Sequence, residues 1–198
     1  MSPTGSQRCV RLYAGWMLPS LAGKLLVATP GLLDPYFART VVLLVEHDTG
    51  DGALGLVLNR RLPLDPTEQL AQWSALLDPA AVFYGGPVNP EMAVGLADTP
   101  GRPPEDWTAV VGNIGLVDLG DDPESIGGAV RVRVWAGYAG WTSGQLEAEL
   151  ETGSWFVVDA QPGDPFTDHP EAMWSQVLRR QGDRLSMYAD YPIDPSLN

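Results

Sequence analysis

The sequence predicts a single α+β domain in which short strands dominate, and three observations predict it. The 22 glycines and 18 prolines in 198 residues break the chain too often for long helices. A hydrophobic content of 44%, at a length ordinary for one domain, buries roughly 70% of the unfolded surface in a core. Short apolar or alternating runs, read as strands, are interspersed with a few helix-start signatures.

The elements follow in order. Residues 1–20 read as a loose leader, and 21–198 as the domain, with no composition break that would mark a linker. Leu25–Ala28 is a short buried strand stopped by Thr29-Pro30-Gly31. Val41–Glu46 and Ala53–Asn59 flank "HDTGDG", whose Asp and Gly supply the positive φ of a hairpin loop. Asp65-Pro66-Thr67-Glu68 is a capping box, and Leu70, Trp73 and Leu77 recur at helical spacing behind it. "VFYGGPV" (82–88) is a strand broken by a Gly-Gly-Pro turn, Met92–Leu96 another strand, and "RPPEDW" a loop. Thr108–Leu119 holds short strands interrupted by Gly112, Asn113 and Gly115, and Asp121–Ser125 an acidic turn or single helical turn.

Residues 130–138 alternate, with Val130, Val132 and Val134 on one face and Arg131, Arg133 and Trp135 on the other. The second face is expected to meet water or a second copy of the chain in a homodimer. Thr142 and Gln145 then form a capping box for a helix that buries Leu146 and Leu150 and stops at Gly153, and "SWFVVDA" returns as a strand. A last helix opens at "DHPE" (168–171), turns Met173, Trp174, Val177 and Leu178 inward, and ends with Arg179 and Arg180 before Gly182. Strand–helix–strand patterns at 53–86 and 130–159 suggest an internal duplication.

Composition bounds the function. Twelve basic residues against 25 acidic give a net charge of −13, which repels polyanions and disfavours nucleic acid as a partner. One cysteine, Cys9, leaves no intrachain disulfide and fits a reducing cytoplasm. The longest apolar run, "VVLLV" at 41–45, is too short for a membrane span, and the N-terminus lacks the apolar stretch of a signal peptide.

Chemistry is sparse. His47, His169 and Cys9 form no metal-ligand pair, and "EHDTGD" lacks calcium-loop spacing, so no metal or other cofactor is expected. There is no nucleophile elbow, and Asp168-His169 reads as a helix cap. "GYAGWTSGQLEAEL" (137–150) raises the question of a phosphate cradle. Its spacing matches neither a dinucleotide nor a Walker loop, its capping residues consume the helix-start donors, and Glu147, Glu149 and Glu151 follow. Packing is the favoured role of these glycines, with Tyr138 and Trp141 on either side. An anion site would need Arg131 and Arg133 brought beside Thr142 and Ser143.

"LLVATP", "DPYFARTVVLLVEHDTGDGALGLVLNR", "FYGGPV", "GYAGWTSGQLEAEL", "SWFVVDA" and "YPIDPSLN", in this order from Leu21 to Asn198, resemble the AlgH/YqgE family of bacterial proteins. The resemblance implies a branched, partly barrel-like, mostly antiparallel sheet flanked by a few helices. It also implies a family of unknown function, sometimes labelled a transcriptional regulator, with no catalytic set to carry over. Matching positions are Glu46, His47, Gly55, Asn59, Gly85, Gly86, Pro87, Gly137, Tyr138, Gly140, Trp141, Gln145 and Glu149, mostly glycines and aromatics that speak for geometry. Residues 116–128 depart from relatives, which tend to carry a longer helix there.

Three readings of function follow. The favoured one is a non-catalytic binding or interaction domain for a protein or small-molecule partner, with a regulatory role. The second is an enzyme of unrecognised type built on Glu46, His47, Asn59, Tyr84 and Gln145, which requires that these side chains converge. The third, a DNA-binding regulator, needs a continuous basic face.

Overall fold

The run that alternates from residue 130 does not stop at Tyr138. In the computed structural model, which describes residues 19–101 and 107–192, it forms one long strand, β8 (Arg131–Trp141). The expected leader up to residue 18, residues 102–106 of the loop and the last six residues lie outside the described residues.

Strand β8 is the branch point of the sheet. Its first half lies between β4 (Leu77–Tyr84), parallel to it, and β5 (Val88–Asp98), antiparallel. Its last residues pair instead with β3 (Gly52–Val57), Ala53 opposite Trp141 and Leu54 opposite Gly140. From β3 the sheet continues through β2 (Val41–Asp48) and β1 (Lys24–Ala28) to β9 (Trp155–Asp159), all antiparallel. On the other side β5 carries β7 (Ile114–Val117) and then β6 (Ala109–Val111). The result is the expected branched sheet, curled into a half-barrel.

One face of the sheet holds the main core, with Leu25, Leu43, Leu56, Phe83 and Trp135 closed by Met173, Trp174, Val177 and Leu178 of α2 (Met173–Arg179). The opposite face packs Leu26, Val42, Leu44, Trp141 and Trp155 under Leu146 of α1 (Gln145–Glu151). Helix α1 ends as expected at Gly153 (φ +75°), where Ser154 N donates to Glu149 O and Gly153 N to Leu150 O, satisfying the last carbonyls. At its start only half of the capping box forms. Gln145 Oε1 accepts from Thr142 N (3.1 Å), while the Thr142 hydroxyl donates to that same oxygen (3.2 Å).

Several expectations are corrected. No α-helix follows Asp65. Its carboxylate accepts from Thr67 N (2.9 Å), one turn closes from Leu70 N to Pro66 O, and a 3₁₀ turn spans Ala71–Trp73. The helical stripe fails because β8 claims its last member. Leu77 opposes Val132, and Val132 N donates to Leu76 O. The suggested duplication therefore has no structural counterpart. The wet face of 130–135 is also overturned, since Arg133 and Trp135 are 1% and 0% exposed. Phe83 of β4 and the 164–167 segment cover it. The helix expected from Asp168 begins instead at Met173, preceded by a 3₁₀ turn at Pro170–Ala172 with no side-chain cap at either start, and a short α-helix, Asp183–Ser186, follows it. The acidic turn is observed as a single 3₁₀ turn, Pro123–Ile126, with Asp122 accepting from Glu124 N. No helix among the described residues is long and apolar enough to cross a membrane.

Candidate functional site

The glycines of "YGGPV" and "GYAGW" serve a backbone crossing. A Cβ on Gly85 would lie 2.0 Å from Gly137 O, and one on Gly86 2.2 Å from the Tyr138 carbonyl carbon. Gly137 has φ +67°, and its Cβ would sit 2.7 Å from Gly86 O. The two segments touch main chain to main chain, which only glycine permits. As expected, Trp141 joins the core under α1 while Tyr138 packs toward the main core.

Val88 and Tyr138, next to this crossing, line a groove. Val45 and Leu54 of the β2–β3 hairpin line one side, Tyr138 and Gly140 of β8 the other, with Val88 beside them. Its volume is about 710 Å³. A bulge between Leu44 and Glu46 resets the register of β2, so that Glu46 opposes Leu54 and takes its face. Asp48 and Asp51 stand at the hairpin tip, where the Asp48 carboxylate accepts from Gly50 N (2.7 Å) and Asp51 N (3.2 Å). An apolar floor therefore carries a carboxylate rim of Glu46, Asp48 and Asp51, and no arginine or lysine among the described residues lines it.

The five residues of the enzyme reading do not converge. Glu46 lines the groove and is exposed. The His47 ring is buried: Leu21 N donates to Nδ1 (3.0 Å), which leaves the proton on Nε2 to donate to Glu147 Oε1 (2.9 Å). His47 thus bolts the chain entering β1 to helix α1. Asn59 spends its amide on Val41 N and Arg39 O, both at 2.9 Å. The Tyr84 hydroxyl is buried with no hydrogen-bond partner among the described residues, and burial raises its pKa. Tyr84 and Asn59 belong to a separate depression with Tyr36, Arg60, Arg61 and Asp168. Gln145 is held by Thr142 and by Glu149 (3.0 Å) at the start of α1.

The anion set is not assembled either. Arg131 pairs with Asp98 (2.8 Å) and Arg133 is buried, both at the start of β8. Thr142 and Ser143 follow its far end, roughly 33 Å away along an extended strand, where the Ser143 hydroxyl donates to Thr49 O. Among the described residues no group of three or more His, Cys, Asp or Glu could hold a metal ion. Sequence reasoning missed Asp48, Asp51, Leu54, Val88 and Tyr138 as one surface. Glu149, a matching family position to which the sequence assigns no role, accepts through Oε2 from both Trp141 Nε1 (2.9 Å) and Trp155 Nε1 (2.8 Å) and locks two indoles in place.

Comparisons with known proteins agree with the family resemblance. A family model described as AlgH-like matches residues 25–186. A UPF0301 protein of Streptomyces coelicolor is 52% identical over 186 residues, 90% of this chain and 96% of that protein. One from Mycobacterium tuberculosis is 45% identical over 183 residues, 89% of this chain and 90% of that protein. A crystal structure from Corynebacterium diphtheriae superposes with a TM-score of 0.79 at 33% identity, over 88% of this chain and 93% of the other. The solution structure of AlgH from Pseudomonas aeruginosa gives 0.62 at 31% identity, over 92% and 98%.

Proposed function

We propose that this chain, which belongs to the AlgH-like family, is a cytoplasmic binding domain whose half-barrel groove takes a basic, partly apolar segment of a protein partner. The observation that carries the reading is the pairing of an apolar floor (Val45, Leu54, Val88, Tyr138) with a rim of Glu46, Asp48 and Asp51. Arginine, with a long apolar stem and a planar charged head, matches both parts of such a surface. A net charge of −13 further favours encounter with a cationic partner over a polyanion. Among the described arginines, Arg131, Arg179 and Arg180 pair with carboxylates, Arg39 and Arg60 with main-chain carbonyls, Arg133 is buried, and Arg61 and Arg184 are exposed away from the groove.

The test is calorimetric titration with a synthetic twelve-residue peptide of Arg, Leu and Trp, compared with its Glu-for-Arg counterpart. The triple variant E46Q/D48N/D51N is expected to bind the basic peptide about tenfold more weakly and with a shallower salt dependence. Equal affinity of variant and parent, or preference for the acidic peptide, would remove the reading.

A further inference from the structure

We infer that the depression beside Tyr84 is a second site, separate from the groove, for a mononucleotide whose base bears an exocyclic amine. Its phosphate lies toward Arg60 and Arg61 and its base on Tyr36. Four observations carry the assignment, and none depends on the reading of the groove.

The first is a pair of opposite charges held apart. Arg61 and Asp168 both line this depression, whose volume is about 740 Å³, and both are exposed. The ion pairs among the described residues belong to other acids and bases, so these two charges meet neither each other nor another partner there. A hollow of ligand size with a cation on one part of its wall and a carboxylate on another selects a dipolar ligand over a simple ion.

The second is a cation already fixed in place. Arg60 Nη1 donates to Pro35 O (3.0 Å) and Nη2 to Ala38 O (3.1 Å). These bonds hold the guanidinium still and leave it further N–H groups. Two successive guanidinium forks match the oxygens of a phosphate. The chain's net charge of −13 acts weakly on so small a ligand, because salt screens charges beyond about 8 Å.

The third is an orphan donor. Tyr84 lines the depression, and Arg60 is close enough to act electrostatically on its phenol. Its hydroxyl is one of two buried side-chain polar atoms with no hydrogen-bond partner among the described residues. Such atoms are rare in folded proteins, and a phosphate oxygen supplies the acceptor that this one lacks.

The fourth is a braced aromatic platform. Tyr36 is 53% exposed. Its loop is held by Arg60, by Asn59 Nδ2 donating to Arg39 O (2.9 Å), and by Asp34 Oδ1 accepting from Tyr36 N (2.8 Å). Arg39 is kept at φ +56°, a left-handed conformation uncommon outside glycine. A ring presented on so fixed a loop stacks on a planar base at little entropic cost. An amine on that base finds its acceptor in Asp168.

Calorimetric titration of the full-length chain with AMP tests the site, with IMP, adenosine and inorganic phosphate as comparisons. AMP is expected to bind with a Kd on the order of 100 μM, and each comparison at least about fivefold more weakly. Arg61→Ala should weaken AMP about tenfold, and Asp168→Ala should bring AMP level with IMP. Both side chains are exposed, so these variants are expected to fold, and E46Q/D48N/D51N should bind AMP as the parent does. No saturable binding of AMP up to about 5 mM, IMP or phosphate binding as tightly as AMP, or unchanged affinity in either single variant would overturn the inference. Loss of AMP binding in E46Q/D48N/D51N would put the ligand in the groove and overturn it too.

Discussion

Gly86→Ala should lose more than about 4 kcal/mol of folding stability, which places it among the exceptional single substitutions. Its new Cβ would stand 2.2 Å from the Tyr138 carbonyl carbon and 2.3 Å from Ala139 N. Both are main-chain atoms of β8, the branch strand, so no side chain can rotate to relieve the overlap. Relief requires β4 and β5 to move away from β8, which breaks the sheet at its junction. Gly144→Ala is the informative control. Gly144 also has positive φ (+74°), but nothing lies within 4 Å of its Cβ position, so only the conformational cost of about 1–2 kcal/mol applies. Urea unfolding of the two variants measures the difference. A Gly86→Ala loss no larger than that of Gly144→Ala would mean that the crossing is looser than its geometry indicates.

Arg133→Ala is the second large effect, at about 3–5 kcal/mol. The Arg133 guanidinium donates to Asp78 O (3.2 Å), Pro165 O (3.1 Å) and Thr167 O (3.0 Å) and stacks over Phe83 at 4.6 Å. It fastens the start of β4 and the 164–167 segment to β8. Alanine removes the donor from the buried Pro165 carbonyl and from the part-buried Asp78 and Thr167 carbonyls, and leaves a cavity beside two phenylalanines. Burial lowers the arginine pKa from its ordinary value to about 10, opposed by Asp78 and Asp168. Because the folded value lies below the unfolded one, wild-type stability gains from this group only as the pH rises above about 10. Arginine is charged in both states below that, so the loss in Arg133→Ala should be flat between pH 6 and 8 by denaturant titration. A loss under about 1 kcal/mol, or a slope in that window, would contradict the clasp.

The hairpin at 41–59 and the strands at 25–28 and 155–159 were legible because their apolar runs end at turn residues that allow little else. The glycine pairs were legible as geometry for the same local reason. The stretch from Asp65 was misread because a capping box and a helical stripe are local evidence. The pairing of Leu77 with Val132, fifty-five positions apart, is not. Arg133 looked wet because alternation reveals two faces without revealing what covers each. The groove was invisible for a related reason. Glu46 turns onto the face of Leu54 only through a bulge, and the crossing that brings Val88 and Tyr138 beside them joins distant segments. A signal was present in the run of acids in "EHDTGD", but the sequence weighs it only as a calcium loop and its spacing dismisses it as one.

The central claim is that the groove between the β2–β3 hairpin and β8 is the binding surface. Chemical-shift mapping of the full-length chain, titrated with the Arg-Leu-Trp peptide, tests it most directly. The account predicts saturable shifts concentrated at residues 45–54, Val88 and 138–142. Shifts centred on Tyr36, Arg60 and Tyr84, or shifts that never saturate, would contradict it.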